Sequence, residues 1–312
     1  MTKTVLITGG AGFLGSHLCD QFIADHKVVC VDNLDTGSKR NIEHLLNDPT
    51  FTFVEHDITK DLPEAVTGEV YDVILNMACP ASPPHYQRLA IETLEVGSFG
   101  VMNVIKLALR DKARFFHAST SEVYGDPEVH PQIEEYWGSV NSYGPRSMYD
   151  ESKRFAEALI YAYREKHGLN SVMGRIFNTY GPRMDKLDGR VVSNFVNQAL
   201  EGKDLTIYGD GKQTRSFCYV DDLVAAIVAL VNSDEEGPIN IGNPNEFTML
   251  ELIDVIQEVI GKKLNVSHEP MPGDDPKKRQ PDISKAKERL GWEPKVQLRQ
   301  GIEKTVEYFS LI

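Results

Sequence analysis

The first part of the chain alternates short, continuously apolar runs with longer stretches of helical spacing. Apolar runs rich in Val, Ile and Phe are typical of strands that are covered on both faces of a parallel sheet. Six such runs are predicted as strands: Thr4–Thr8, Val28–Asp32, Phe51–Val54, Val73–Met77, Arg114–Ala118 and Ser171–Ile176. Helical patterns lie between them, the longest over Tyr86–Arg110 and Arg146–His167. The alternation predicts βαβ units, and therefore an α/β fold with a Rossmann-type, doubly wound parallel sheet.

The pattern changes after Ile176, where loops marked by Gly and Pro separate shorter helices. The predicted helices are Val191–Leu200, Leu223–Asn232, Met249–Ile260, Ile283–Leu290 and Leu298–Tyr308. We expect residues 177–312 to form mainly a smaller second lobe, with some of its segments returning to the domain formed by residues 1–176. Doubly wound sheets bind ligands at the carboxyl ends of their strands, so the site is expected in the cleft between the lobes.

The chain is acidic, with a formal charge of −13 and an isoelectric point near 5.2. Nucleic-acid binding requires a basic surface and is therefore not expected, and a small anionic ligand would need locally placed Arg or Lys. The apolar run Leu223–Val231 is far shorter than the about 20 residues of a membrane span, so we expect no membrane association and a cytoplasmic location. Cys19, Cys30, Cys79 and Cys218 lack the spacing of a metal site, so no metal is expected.

A glycine motif follows the first predicted strand and opens a helix. Gly9, Gly12 and Gly15 have the spacing of a tight turn that lets backbone N–H groups approach a pyrophosphate. Asp32, at the end of the second strand, is placed to accept hydrogen bonds from an adenosine ribose, and its charge would repel a 2′-phosphate. The neighbouring Asn33 carries no positive charge, so the pattern favours NAD over NADP. The competing interpretation is a structural turn with a surface aspartate.

Tyr149 and Lys153 are four residues apart and share one face of a predicted helix. With the positive nicotinamide ring, the lysine would lower the pKa of the tyrosine toward neutrality, so that the phenolate takes a hydroxyl proton during hydride transfer. The pair alone is equally compatible with a solvated helix face. The hydroxyl of Thr120 is expected at the same edge of the sheet and favours the catalytic interpretation.

These motifs resemble the extended short-chain dehydrogenases/reductases. More specific stretches resemble the UDP-glucuronic acid decarboxylases, also called UDP-xylose synthases: Ala78–Tyr86, Ser119–Pro127, Arg175–Met184, Asp188–Phe195, Tyr208–Phe217 and Lys278–Ile283. The similar sugar 4,6-dehydratases carry Asp-Glu after the threonine, whereas this chain has Ser121 and Glu122. Serine is a poor acid for loss of water, so dehydration is disfavoured. Glu122 favours decarboxylation, although an acidic residue at a strand end also caps turns. Glu95-Val96 replaces a Lys-Thr pair common in the family, which puts contacts from that helix in doubt.

The resemblance implies a set of site residues. The expected catalytic residues are Thr120, Ser121, Glu122, Tyr149 and Lys153. The expected NAD contacts are Gly9, Gly12, Phe13, Leu14, Gly15, Asp32, Asn33, Thr36, Gly37, Asp57, Ile58, Ala78, Tyr149 and Lys153. Asp57 is expected at the adenine, although an isolated aspartate at such a position is more often a helix cap. The expected substrate contacts are Asn178, Arg190, Asn194, Tyr208, Arg215 and Arg279, although an isolated arginine is more often a surface residue and Tyr208 equally fits a core position.

The implied reaction converts UDP-glucuronate to UDP-xylose. The sugar is oxidised at C4, the resulting β-keto acid loses CO₂, and C4 is then reduced again, with Glu122 as a candidate general acid or water-organising group and Ser121 supporting it. The alternatives are a UDP-sugar 4-epimerase, an oxidative enzyme that releases a 4-keto pentose, and an NAD-sensing binding protein without catalysis. The resemblance also implies a homodimer that pairs through the two long helices.

Overall fold

A computed structural model describes residues 2–270 and 278–312. Its centre is a seven-stranded, fully parallel sheet with the strand order β11-β6-β5-β4-β1-β2-β3, in which β11 is Pro238–Ile241. Six of these strands confirm the predicted ones: β1 Thr4–Thr8, β2 Lys27–Asp32, β3 Phe51–Glu55, β4 Val73–Asn76, β5 Arg114–Thr120 and β6 Ser171–Ile176. The order reverses between β1 and β4, so the fold is the predicted doubly wound α/β sheet.

Both faces of the sheet are buried, which explains the continuous apolar runs. On β1, Val5 and Ile7 belong to one hydrophobic cluster, while Leu6 points to the other face and packs with Val29 and Ile74. Successive side chains of a strand point to opposite faces, so the central positions of such a strand must be apolar.

From residue 146 onward, the helices lie at or near their predicted positions. In chain order, the helices are α1 Phe13–Ile23, α2 Glu64–Thr67, α3 Pro83–Arg88, α4 Ala90–Glu95, α5 Val101–Asp111, α6 Ser147–His167, α7 Val191–Leu200, α8 Val220–Val231, α9 Met249–Ile260, α10 Ser284–Leu290 and α11 Leu298–Ser310. Two short 3₁₀ helices cover Lys39–Leu45 and Ser121–Tyr124. In the described parts of the chain, no helix is long and apolar enough to cross a membrane.

The prediction of one continuous helix over Tyr86–Arg110 is wrong. Leu89 leaves helical geometry, with φ −111° and ψ 49°, and a π-helical turn at Val96–Gly100 separates α4 from α5. Gly97 allows close contact with α6 here, because a Cβ atom on it would lie 2.6 Å from the Cβ of Ser152. The spacing of apolar residues does not reveal a single non-helical residue or a widened helical turn. The predicted helix therefore ran across both interruptions.

The seventh strand, β11 at Pro238–Ile241, pairs with β6 and comes from the part of the chain that follows residue 177. Helix α8 also comes from this part and packs against α1, β5 and β6. The remaining strands form three two-stranded sheets that sequence analysis did not predict: β7 Thr179–Tyr180 with β10 Cys218–Tyr219, β8 Leu205–Tyr208 with β13 Val266–Glu269, and β9 Thr214–Ser216 with β12 Glu246–Thr248. They join α7, α9 and α11 above the carboxyl edge of the large sheet.

Candidate active site

A cavity of about 1560 Å³ lies at the carboxyl edge of the large sheet. It is large enough for a dinucleotide and a nucleotide sugar together, since pockets for drug-sized ligands measure about 300–1,000 Å³. Every residue expected to bind or react lines it: Gly9, Gly12, Phe13, Leu14, Gly15, Asp32, Asn33, Thr36, Gly37, Asp57, Ile58, Ala78, Thr120, Ser121, Glu122, Tyr149, Lys153, Asn178, Arg190, Asn194, Tyr208, Arg215 and Arg279. The fold therefore brings the residues expected to bind NAD and those expected to bind the substrate, which are far apart in the sequence, into one cavity.

The glycine loop forms the floor at one end of this cavity. Gly9 has φ +68°, and a Cβ atom on it would lie 2.8 Å from the backbone of Ala78. A Cβ atom on Gly15 would approach the carbonyl oxygen of Gly9 to 2.1 Å. Gly12 is the N-cap of α1 and contributes no side chain, so the first N–H groups of the helix face the cavity. The loop has the form that a pyrophosphate requires.

Asp32 is buried at the end of β2 and is held in place by the backbone. One carboxylate oxygen accepts a hydrogen bond from the N–H of Ala11 at 2.9 Å, and the other accepts one from the N–H of Leu34 at 2.8 Å. Burial raises the pKa of Asp32, and these backbone donors oppose the shift. A Cβ atom on Gly37 would lie 2.8 Å from this carboxylate, so the loop passes directly over it. The aspartate is buried and oriented, unlike a surface residue.

Asp57 lies at the same end of the cavity, but its carboxylate is used locally. It accepts hydrogen bonds from the N–H of Thr59 at 2.9 Å and from the hydroxyl of Thr59 at 2.8 Å. This geometry favours the alternative of a turn cap. Asn33, in turn, donates to the carboxylate of Asp35 at 2.7 Å.

Tyr149 and Lys153 occupy consecutive turns at the start of α6, and both are buried. The ammonium of Lys153 donates to the carbonyl of Ala118 at 2.8 Å and lies 5.9 Å from the centre of the Tyr149 ring. Thr120, the last residue of β5, lies close enough to the phenol to influence its pKa. Helix and strand end thus place the three groups together, as predicted.

The predicted lowering of the tyrosine pKa includes the charge of a bound nicotinamide ring, and the groups of the chain itself act in the opposite direction. Burial raises the pKa of Tyr149 well above its ordinary value, the thiol of Cys79 adds to the shift, and the hydroxyl of Thr120 only partly opposes it. The ammonium of Lys153 is engaged with the backbone at Ala118 and does not overcome the desolvation of a buried phenolate. Tyr149 is therefore a neutral phenol in this state.

Glu122 lies between two guanidinium groups. Arg146 donates to its Oε2 at 2.7 Å, and Arg279 donates to the same oxygen at 3.2 Å. Burial favours the neutral acid, but the charges of Arg279 and Arg146 outweigh it and lower the pKa of Glu122. The resting side chain is therefore a carboxylate that holds no proton of its own, so it can organise water but can donate a proton only after receiving one from another group.

Arg279 is 2% exposed and reaches the catalytic strand from the segment before α10. Besides Glu122, it donates to the carbonyls of Ser121 and Gly125. These bonds fix the 3₁₀ helix that carries Ser121 and Glu122. An arginine this deeply buried is not the surface residue of the competing interpretation.

The other expected substrate residues come from the part of the chain after Ile176 and also line the cavity. Arg215 donates to the carbonyl of Thr214 at 2.9 Å, and Asn194 donates to the carbonyl of Gly189 at 3.0 Å. Tyr208 is at the end of β8 with its ring partly exposed, so it does not occupy a core position. Asn178 follows β6, and its carbonyl accepts from Cys218.

Arg190 lies nearer the glycine loop than its assignment to the substrate implies. Its guanidinium is 6.0 Å from the ring centre of Phe13 and donates to the carboxylate of Asp188 at 2.7 Å. Its charge also acts on the phenol of Tyr149. The position between Phe13 and Tyr149 favours a contact with the dinucleotide.

Sequence analysis did not identify three residues that line the cavity: Tyr86 and Arg146 near Tyr149, and Cys79 beside Lys153. It also missed Asp150, a buried neighbour of Tyr149 that is not among the described lining residues. The quoted motifs contained Cys79 and Tyr86, but nothing in a motif indicates which side chains touch. The Glu95-Val96 departure also lies at the cavity wall, where α4 passes into the π-helical turn.

Comparison with known proteins agrees with this geometry. The family model for GDP-mannose 4,6 dehydratase matches residues 6–305. UDP-glucuronic acid decarboxylase 1 of Danio rerio is 51% identical over 309 residues, which cover 99% of this chain and 73% of the relative. UDP-glucuronic acid decarboxylase 1 of Arabidopsis thaliana is 52% identical over 306 residues, covering 98% and 69%.

Solved structures share the whole architecture. UDP-glucuronic acid 4-epimerase from Bacillus cereus, in complex with UDP-glucuronic acid and NAD, is 29% identical with a TM-score of 0.89 and 99% of both chains covered. UDP-glucose 4-epimerase from Thermotoga maritima with UDP-glucose is 30% identical, also with a TM-score of 0.89 and 98% of both chains covered. From its match to the family model and its identity with these relatives, the chain belongs to the extended short-chain dehydrogenases/reductases, and within them to the family of the UDP-glucuronic acid decarboxylases.

Proposed function

We propose that the protein is an NAD-dependent enzyme that decarboxylates UDP-glucuronate to UDP-xylose. The observation that carries this proposal is the cluster at the end of β5, where Thr120, Tyr149 and Lys153 adjoin a Glu122 carboxylate clamped by two arginines. The first three groups suit hydride transfer at a hydroxyl. The clamped carboxylate and Ser121 stand where a dehydratase needs an acid, and they suit a reaction in which the leaving group is CO₂.

The cavity fits a dinucleotide at its glycine end. The loop at Gly9–Gly15 would hold the pyrophosphate, Asp32 the adenosine ribose, and Lys153 the nicotinamide ribose. Arg190, beside Phe13, adds a positive charge for the pyrophosphate. When bound, NAD supplies the acceptor for the C4 hydride and later returns it. The buried carboxylate of Asp32 supports NAD over NADP.

Tyr149 is the proposed base for the O4 proton. Its phenol lies near the hydroxyl of Thr120, and the buried ammonium of Lys153 lies one helical turn away. Since the phenol is neutral in the protein alone, it becomes a phenolate only when further positive charge enters the site. The O4 proton then passes to Tyr149 as the hydride leaves C4, and it returns to O4 when C4 is reduced again.

Oxidation at C4 activates the carboxylate on C5. In the 4-keto sugar the C5–carboxylate bond can break with its electron pair delocalised into the C4 carbonyl, which releases CO₂ and leaves an enolate. A proton must then be added at C5. Glu122, held by Arg146 and Arg279, is positioned to order the water at this step, and Ser121 supports the same 3₁₀ helix.

The uridine diphosphate is assigned to the wall formed by the second lobe. Arg215 would pair with the diphosphate, Asn178 and Asn194 would bind the sugar–phosphate region, and the half-exposed ring of Tyr208 would pack on the uracil. Arg279 lies between this wall and the catalytic strand, so it also suits the sugar carboxylate.

The product formed from UDP-glucuronate tests the function. We expect CO₂ and a UDP-pentose, identified by mass spectrometry, without stoichiometric formation of NADH. Formation of the C4 epimer alone would identify a 4-epimerase, as the fold similarity to UDP-glucuronic acid 4-epimerase suggests for a second candidate. NADH and a 4-keto pentose in equal amounts would identify an oxidative enzyme, and binding without turnover would identify a cofactor sensor.

We also propose a homodimer. The helices on either side of the π-helical turn, and α6 beside them, expose large apolar side chains: Ile91, Leu94, Phe99, Phe155 and Tyr161. Helices α4 and α6 pack against each other, so these side chains can form one surface. Exposed apolar patches on paired helices are typical of subunit contacts, and a two-fold axis would pair the patch with itself.

A further inference from the structure

Asp150 is a buried carboxyl group that the proposed reaction has not used. It follows Tyr149 in α6 and is 6% exposed. Among the described residues, its Oδ1 atom has no hydrogen-bond partner. A buried oxygen without a partner is unfavourable by about 1–3 kcal/mol, and such groups in a folded protein call for an explanation.

The Asp150 carboxyl interacts electrostatically with Glu122 and with the two arginines that hold Glu122, Arg146 and Arg279. Four charged groups act on it electrostatically: Glu122 on the 3₁₀ helix after β5, Arg279 in the segment before α10, Arg146 one helical turn earlier, and the adjacent Glu151. Burial raises the pKa of Asp150 to about 7, Glu122 adds to the shift, and Arg146 and Arg279 oppose it. The same two arginines lower the pKa of Glu122, with a further contribution from Arg215 on β9.

One cluster therefore contains an ionised carboxylate and a carboxyl that can keep its proton near neutrality. In an active site, two neighbouring carboxyl groups whose pKa values are shifted in opposite directions commonly serve as an acid and a carboxylate. A purely structural role at the N-terminus of α6 would favour an ionised Asp150, because the helix dipole stabilises negative charge there. The burial of Asp150 works against that role.

The proposed reaction requires a second proton. The proton that Tyr149 takes from O4 returns to O4, so it cannot serve C5. Loss of CO₂ breaks the C5–carboxylate bond and leaves the electron pair in the enolate, and a new C5–H bond then forms with a proton from another source. One proton is thus taken up in each turnover, and Glu122 is too acidic to store it.

We propose that Asp150 stores this second proton behind Glu122 and delivers it to C5 through Glu122 and the water that Glu122 orders. Asp150 is not among the described residues that line the cavity, so it acts through Glu122 and is a positioning residue. Solvent restores its proton after each turnover. The inference rests on the proposed decarboxylation.

The test is Asp150→Asn, which keeps the shape of the side chain and removes its proton store. Rapid quenching with mass spectrometry separates C4 oxidation and CO₂ release from formation of the UDP-pentose. We expect the first two to stay within about threefold of wild type, while pentose formation falls about tenfold or more and a 4-keto pentose accumulates. Glu151→Gln, a half-exposed carboxylate in the same turn that pairs with Arg154, is the matched control and should behave as wild type.

An equal fall in all steps would indicate a structural role and overturn the inference, as would unchanged pentose formation. Infrared spectroscopy of the protein without substrate gives an independent measurement. The difference between wild type and Asp150→Asn should contain a protonated-carboxyl band that titrates near pH 7. If the variant does not fold, the infrared titration of the wild-type protein still tests the inference. Loss of every protonated-carboxyl band by about pH 5 would overturn it.

Failure of the proposed function has a different signature. Wild-type protein that releases no CO₂ from UDP-glucuronate would contradict the decarboxylation, and with it the role of Asp150 in C5 protonation. Wild-type protein that releases CO₂ beside an Asp150→Asn variant with normal pentose formation would contradict only the proton store.

Discussion

The ring of Tyr86 lies flat against the ring of Tyr149, with the ring centres 5.0 Å apart and the planes inclined by 9°. Tyr86 is fully buried in α3, and the guanidinium of Arg146 lies 6.0 Å from the centre of its ring. The arginine also holds Glu122. One aromatic side chain thus connects the proposed base with the carboxylate clamp, and it limits the positions that the phenol of Tyr149 can take.

Removal of the stacked Tyr86 ring should lower kcat more than it weakens the binding of UDP-glucuronate. For Tyr86→Leu we expect kcat to fall about tenfold because Tyr149 is less well oriented, while KM for UDP-glucuronate changes little. The lost ring contacts should also lower the free energy of unfolding by about 1–3 kcal/mol. Tyr86→Phe keeps the stacked ring and is the control, expected to stay near wild type. Equal kcat values for the Leu variant and wild type would contradict the positioning role.

Tyr149→Phe should abolish most of the turnover. The ring and its stack on Tyr86 are retained, so the variant loses only the hydroxyl that accepts the O4 proton. We expect the rate of CO₂ release to fall about 10²- to 10⁴-fold. Calorimetric titration should show unchanged binding of NAD and UDP. Turnover at the wild-type rate would show that another group is the base.

The predicted strands and the glycine loop were found because their signals are local. A strand such as β1 is apolar at its central positions Val5, Leu6 and Ile7, and Gly9 and Gly15 have no room for a side chain. The Tyr149–Lys153 spacing is equally local, because a helix places the two on one face.

The rest of the site depends on tertiary contacts that no spacing records. Tyr86 meets Tyr149, and Arg279 meets Glu122, only after α3 and the segment before α10 have packed against the end of β5. The pKa values also follow from packing, which is why the desolvation that raises the pKa of Tyr149 could not be predicted from the Tyr149–Lys153 spacing. Similarly, the two-stranded sheets of the second lobe are too short for period-two alternation to identify them.

Asp32 should determine the choice of dinucleotide. For Asp32→Ala we expect the affinity for NAD to fall about tenfold, because the variant loses a buried, oriented acceptor for the ribose. The preference over NADP should narrow, since the repulsion of a 2′-phosphate is removed. Calorimetric titration with each dinucleotide measures both effects. Asp25→Asn, an exposed aspartate after α1, is the control, and an unchanged ratio of the two affinities in Asp32→Ala would contradict the assignment.

The stability of the protein should depend on pH through Asp150. Its pKa is about 7 in the folded chain and 3.8 when unperturbed. Between these values the unfolded state ionises while the folded state stays protonated, so the contribution of the neutral group to stability is present below about pH 4 and is lost as pH rises through 7. Near pH 8, Asp150→Asn should therefore be more stable than wild type, by about 2 kcal/mol once the coupling to Glu122 is discounted.

Thermal unfolding from about pH 4 to pH 8 measures this difference. The gain of the Asn variant should shrink as the pH falls toward 4, and Glu151→Gln should show no such trend. If Asp150→Asn is more stable than wild type but slower in pentose formation, the buried acid lowers stability and serves the reaction. A destabilised Asn variant at every pH would contradict the ionisation argument.

The apolar surface on α4, the π-helical turn and α6 should hold two copies of the chain together. Phe99 is 57% exposed and Phe155 is 49% exposed in the single chain, so an aspartate at either position would place a charge in the proposed contact. We expect wild type to sediment as a dimer, and Phe99→Asp and Phe155→Asp to shift toward the monomer by about tenfold or more in dissociation constant, because desolvating an unpaired charge is unfavourable. Val70→Asp, at a position that is 69% exposed before β4, changes an equally apolar residue outside this surface and should leave the dimer intact. A monomeric wild type, or a Val70 variant that dissociates as readily as the other two, would contradict the assignment of this surface.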